Sequence, residues 1–291
     1  MSAIDTRLGA PTGWRGLVRT FNANKISWIG LVLFVLIVVI AVAAPMLTKF
    51  DPIDQDVMAQ LQGPSEAHLF GTDEYGRDIW ARLIYGARIS LIIGIVSTLV
   101  AMVVGSIIGI LAGWYGGRLD AVVMQIMDVL LAFPSLILGL IVVAMLGPSM
   151  TNLIIAIALT SIPPFARIAR APTISLRERE YIEACRALGY SDARILTLHI
   201  LPNILSDILV MGSLWLANAI RTEASLAFIG LGVKPPTPTW GGMIRSGFEN
   251  ILDNAWLAVV PSIAILLVIF ALNLLGDGLR DALDPKLRNE V

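Results

Sequence analysis

The side chains best suited to polar chemistry in this 291-residue chain gather in one stretch, Glu180 to Asn203, reading EYIEACRALGYSDARILTLHILPN, with very apolar sequence on either side. Glu180, Glu183, Arg186, Asp192 and Arg194 are too costly to place in hydrocarbon, so the stretch belongs at a membrane surface. Bond-breaking chemistry finds no support. There is one cysteine and there are two histidines, far apart in sequence, which excludes an internal disulfide and makes a poor metal set. The lysines are Lys25, Lys49, Lys234 and Lys286. None follows a glycine, so no GxxxxGK[ST] phosphate loop exists, and neither a GxSxG elbow nor an HExxH pair occurs. A membrane enzyme is therefore rejected.

The stretch carries its own local instructions. Glu180 to Leu188 contains good helix formers and ends at Gly189, the residue that most cheaply takes the left-handed conformation closing a helix. Ser191 suits the N-cap of a second short helix. Pro202, which cannot continue a hydrogen-bonded helix interior, is expected to close the unit before the next apolar span. Two short helices joined by a glycine elbow are predicted.

The same residues resemble the EAA motif of the permease subunits of binding-protein-dependent ATP-driven importers: Glu-Ala-Ala, three residues, Gly, nine residues, then Ile-x-Leu-Pro. Glu183, Ala184, Gly189, Leu201 and Pro202 fall at the matching spacings. Cys185 replaces the second Ala, small for small, and His199 stands where the motif has Ile, which changes one packing contact. The resemblance implies that this segment docks into a groove on a separate ATPase subunit and transmits its movement.

Composition points to the bilayer independently. The chain is 56% hydrophobic and 15% charged, with mean hydropathy +0.79, against about 25% charged residues in ordinary soluble domains. A net charge of −1 gives no basic surface for nucleic acid. Runs without charge, each needing about 20 apolar residues, predict an all-α protein of six spans: 26–47, 89–114, 121–146, 150–166, 204–220 and 254–276. Gly147-Pro148-Ser149 is the turn dividing an uncharged run too long for one crossing. No secretory signal is evident before the first span, which is expected to stay as an anchor. On this layout 14 of the 21 Lys and Arg lie on the side of the termini and six on the other. The positive-inside rule then puts both termini and the 180–203 segment in the cytoplasm. The domain layout is an N-terminal arm (1–25), the first span (26–47), an outer loop (48–88), a core of five spans (89–280) and a tail (281–291).

In the arm, Trp14, Leu17, Val18 and Phe21 recur at helical spacing beside Arg15, Arg19 and Lys25, which suits a helix on the lipid surface. Outside, Ile79, Trp80, Leu83, Ile84 and Ala87 form a similar stripe after Gly71-Thr72-Asp73, expected as an interfacial helix leading into span two. Gly105, Gly109 and Gly113 make a flat strip on that span where another helix backbone can approach, inside this chain or in a partner. Pro134 is expected to kink span three, as a gating hinge or a curved scaffold. Asp128, Asp207, Arg221 and Glu223 fall in or near spans, where a charge at the bilayer centre costs about 2.5–3.5 kcal/mol. Asp128 and Asp207 lie within reach of the interface. Arg221 and Glu223 are the stronger candidates for the outer mouth of a translocation path; two residues apart, they share no helix face.

The outer segment GTDEYGRDIWARLIYGARISL and the later EASLAFIGLGVKPPTPTWG narrow the resemblance to one of the two permease types in importers of dipeptides, oligopeptides and related solutes such as nickel or opines. It extends over nearly the whole chain, from about Asn24 to Asp284. It implies a type I importer-like permease in the bacterial inner membrane that forms half of a solute path with a homologous permease. It also implies two cytoplasmic ATPases, which bind the ATP and Mg, and a periplasmic binding protein that supplies solute. This chain is then expected to bind no cofactor. The competing classes are a self-contained secondary transporter or channel, which predicts an internal repeat that is not found, and a membrane scaffold, for which no feature speaks.

Overall fold

The computed structural model describes residues 25–283. The stripe Trp14 to Phe21 lies outside them. Among the described residues the secondary structure is helical apart from one isolated antiparallel bridge between Thr72 and Asp78. Among the described residues five helices are long and apolar enough to cross a membrane, six if a pair bent by 92° counts as one span.

The first span is α1 (Lys25–Val42), prolonged by a short turn of helix at Ala44–Leu47. The second is α2 (Ile79–Tyr115), 37 residues in one piece, or about 55 Å at 1.5 Å per residue. The expected boundary between an interfacial helix and span two is absent. Asp78 caps the first turn, accepting the Ala81 N–H at 2.7 Å, and no proline interrupts the residues that follow. Ile79, Ile84 and Ala87 are buried against the protein, so the stripe was a packing face and not a lipid face. The helix ends at Gly116, whose φ of +64° is left-handed, while Arg177 reaches in to donate to the Gly113 and Trp114 carbonyls. A cation there offsets the negative end of the helix dipole.

Span three is broken, where the sequence predicted only a kink. α3 (Gly117–Ala132) and α4 (Ser135–Leu146) meet at 92°. Phe133 is extended, as the residue before a proline prefers, and Pro134 has ψ 129°, so the ladder stops at both. α5 (Met150–Arg177) begins where Ser149 accepts the Asn152 N–H. It runs eleven residues past its expected end at Ala166, because its arginines find partners there. Arg170 clasps Asp120 through two contacts of 2.5 Å, and Arg167 reaches Asp128 at 2.5 Å.

After α5 come α6 (Glu180–Ala187) and α7 (Asp192–Ile195). α7 passes through a π turn (Leu196–Ile200) into α8 (Leu201–Leu226) without leaving helical geometry. Pro202 therefore does not close the unit. It sits in the first turn of α8, where a missing N–H is least costly, and the wider π turn before it absorbs the break in the ladder. The predicted pair of short helices is one short helix joined to the end of a long one. α8 also runs on past Arg221 and Glu223 before a second π turn (Ala227–Leu231) turns the chain back. α9 (Trp240–Glu249) is short, and α10 (Trp256–Leu283) is the last span.

The tightest seam joins α2 to α5. A Cβ on Gly105 would lie 2.6 Å from the Ile162 carbonyl oxygen and one on Gly113 2.9 Å from that of Arg170, while one on Gly109 would collide with the Ala166 carbonyl. The small-residue strip is thus filled from within the chain, backbone against backbone, as membrane helix pairs require.

Candidate functional site

The elbow is built from both ends. α6 closes in a Schellman arrangement: the Tyr190 N–H donates to the Cys185 carbonyl at 3.1 Å, the Gly189 N–H to Arg186 at 2.9 Å, and Gly189 has φ +79°. Ser191 then takes the extended N-cap conformation of α7, and its carbonyl accepts the Ile195 N–H, although its hydroxyl makes no capping bond. Ile182, Ile195, Ile200 and Ile204 are fully buried in one cluster with Ile110, Trp114, Phe165 and Ala169 of α2 and α5. The elbow is a continuation of the bundle core.

Its other face is open. Glu183, Ala184, Leu201 and Pro202 are exposed, and Leu188 and Leu198 are 74% and 58% exposed. Sequence reasoning missed these two leucines and Tyr181, also exposed; their signal is an apolar side chain at a position that the buried isoleucines do not use. His199 fills the place of the aliphatic residue. It stacks on Tyr190, meets Tyr181 edge-on and brings Nε2 to 3.7 Å from Cys185 Sγ. Arg186 lies over Trp114 and Arg194 over Tyr190, each 4.3–4.4 Å from the ring centre. Such contacts tie Arg186 to α2 and Arg194 to the loop between α6 and α7.

The four charges singled out in or near spans separate. Asp128 is paired with Arg167, both more than half exposed, so the contact contributes little to stability. Asp207 is exposed on the first turns of α8. Glu223 is fully buried between α2, α8 and the N-terminus of α9. The Ser90 and Thr239 hydroxyls face it. Each accepts a backbone N–H, from Trp240 and Gly242, which leaves their own protons free to turn toward the carboxylate. Neither carboxylate oxygen meets a partner in hydrogen-bond geometry among the described residues. Glu223 therefore faces away from any open path in this structure; it sits where the positive end of α9 favours an anion.

Arg221 points the other way. It is exposed, bonded to Asn218 Oδ1 at 2.7 Å, and lines a groove of 420 Å³ with Phe228, Ile229, Ile244 and Ile265. At the same end of the molecule a second crevice, of 660 Å³, opens between the 52–82 loop and the 227–249 segment. Arg82, donating to the Pro52 and Pro236 carbonyls, and Glu74, accepting from Ser246, lash its two walls together. No cluster of three or more metal-binding side chains occurs among the described residues.

Known proteins resemble this arrangement. The family model for the binding-protein-dependent transport system inner membrane component matches residues 105–289, and that for the N-terminal TM domain of oligopeptide transport permease C matches residues 12–64. The chain is 42% identical over 280 residues to a dipeptide transport system permease protein of Alkalihalophilus pseudofirmus, covering 96% of this chain and 92% of that one. It is 44% identical over 281 residues to a glutathione transport system permease protein of Pectobacterium atrosepticum, covering 96% and 93%. It is 41% identical over 293 residues to a di/tripeptide transport system permease protein of Pseudomonas aeruginosa, covering 99% and 97%. In fold it is similar to a chain of the inward-facing MetNI methionine ABC transporter, with TM-score 0.56 at 19% identity, covering 69% of this chain and 96% of the other.

Proposed function

The chain belongs to the inner membrane components of binding-protein-dependent transport systems, and on that premise we propose that it forms half of the path by which di- or oligopeptides enter the cell. A homologous permease supplies the other half. Two ATPase subunits bind ATP and Mg, and a periplasmic binding protein delivers solute. Both termini and the 180–203 elbow lie in the cytoplasm, which the distribution of Lys and Arg supports.

One observation supports the coupling role above the others: Ile182, Ile195 and Ile200 root the elbow in the α2–α5 core while Glu183, Leu188 and Leu198 remain open on its outer face. A surface that is open on one side and rigidly tied on the other suits transmission. Closure of the ATPases would push the elbow, and the buried isoleucines would carry that push into the bundle. The push favours one of two helix packings, so solute access alternates as a shift in population. The peptide cargo rests on the relatives' names, and the glutathione relative lies within the same chemistry.

The test is reconstitution by omission. With partner permease, both ATPases and binding protein present in proteoliposomes, ATP-dependent peptide uptake is expected, and leaving out any one component should remove it. Uptake by this chain alone, driven by an ion gradient, would overturn the proposal in favour of a secondary transporter.

A further inference from the structure

The groove at the far half of α8 holds a cation without an anion. The guanidinium of Arg221 is bonded to the neutral Asn218, and no carboxylate lies within ion-pair distance of it among the described residues. Its apolar surroundings are Leu136 of α4, Ala224 of α8, Phe228 and Ile229 of the second π turn, Ile244 of α9 and Ile265 of α10. Arg221 lies 18 residues beyond Asn203, so it sits about 27 Å along the helix from the elbow end. That is near the outer face, where the exposed guanidinium is open to an anion that enters the groove.

Two further groups shape what that partner is. Ser225, one turn from Arg221 on the same face, donates its hydroxyl proton to the Arg221 carbonyl at 2.9 Å. Ser262, across the groove on α10, donates to Ala258 at 2.7 Å. Each hydroxyl gives its proton to its own helix and presents lone pairs to the groove. The groove thus offers a forked cationic donor, two acceptors one helix apart, and apolar walls closed by Phe228. A guanidinium fork matches a carboxylate in two-point geometry. The acceptors match N–H groups.

We propose that Arg221 is the carboxylate subsite of the translocation path and receives the C-terminal carboxylate of a peptide in transit, with Ser225 and Ser262 accepting from its N–H groups. This rests on the peptide-permease reading above. Phe228 and Ile229 supply the apolar wall against which side chains of any identity can lie, which suits a path that must pass many peptides. Arg221 then discriminates by charge and not by side chain.

The experiment uses the full reconstituted complex with its binding protein. Uptake of a dipeptide and of its C-terminal amide is compared for wild type, Arg221→Gln and Arg221→Lys. The same binding protein serves every complex, so its own preference cancels in the ratio of variant to wild type. Loss of a charge-assisted contact predicts that Arg221→Gln lowers uptake of the free acid about tenfold or more while changing the amide little. Arg221→Lys, which keeps the charge and loses the fork, should fall between. If the binding protein does not deliver the amide, the free acid alone decides: Lys must retain more uptake than Gln at equal complex abundance. Equal loss for acid and amide, equal loss for Lys and Gln, a fall in complex abundance with every substitution, or no loss at all would overturn the proposal. Those results leave the permease reading standing when the wild-type complex transports peptide. A wild-type complex that takes up no peptide overturns both.

Discussion

Gly189→Val is expected to abolish solute uptake while the protein reaches the membrane at near-normal abundance. Gly189 has φ +79°, and a side chain added there would meet no atom within 4 Å. The penalty is therefore in the backbone alone. An L-residue in the left-handed region costs about 1–2 kcal/mol, and Val, branched at Cβ, is among the worst placed to accept it. The local remedy is to abandon the Schellman closure, releasing the Tyr190 N–H from Cys185 and swinging α6 away from α7. The buried spans do not depend on this turn, so insertion survives and docking does not. Gly189→Asn separates the causes, because Asn tolerates the left-handed region; it should keep most uptake. Glu183→Lys reverses an exposed charge and should mimic the Val variant without touching the turn. Full uptake by Gly189→Val at normal abundance would show that the elbow's shape does not matter.

Gly109→Ala is expected to be strongly destabilising, since no other glycine of the long apolar helices would bring a Cβ so close to backbone. Its Cβ would be driven into the Ala166 carbonyl, a backbone atom that cannot rotate away. Overpacking of this kind costs about 1–3 kcal/mol, and a backbone clash at the seam of α2 and α5 belongs at the upper end. Gly105→Ala should follow, and Gly113→Ala should be mildest, because its nearest approach, 2.9 Å, is the longest of the three. Thermal unfolding of the purified protein in detergent measures the order. A Gly109→Ala protein as stable as wild type would contradict the packing described.

The spans were legible because they are defined by what lipid excludes. Uncharged runs and the Gly147-Pro148-Ser149 turn fall on the long apolar helices and on the break between α4 and α5, and Gly189 announced its own conformation. What stayed hidden was set by partners distant in sequence. Arg167, Arg170 and Arg177 read as the end of a span, yet Asp128, Asp120 and two carbonyls at the end of α2 let α5 continue through them. Pro202 read as a stop, and a π turn carries the helix to it. Pro134 read as a kink, but Phe133 and Pro134 together are extended and break the helix. Arg221 and Glu223 read as a pair of similar candidates. Their two-residue spacing on an unbroken helix sends one into the core and the other into a groove, and the identity of each face depends on α9, which no local pattern announces.

The central claim is that the exposed face of the elbow seats an ATPase, and a cross-link tests it most directly. In a Cys185→Ala background, Leu188→Cys places a thiol on that face and Met58→Cys places one at the far end, where Met58 is 89% exposed. Each is coupled to a short photo-activated cross-linker in membranes containing the whole transporter. Position 188 is expected to capture an ATP-binding subunit and position 58 is not, and adding Gly189→Val should sharply lower the capture. Capture of the ATPase from position 58, or none from position 188 in an assembled complex, would contradict the claim.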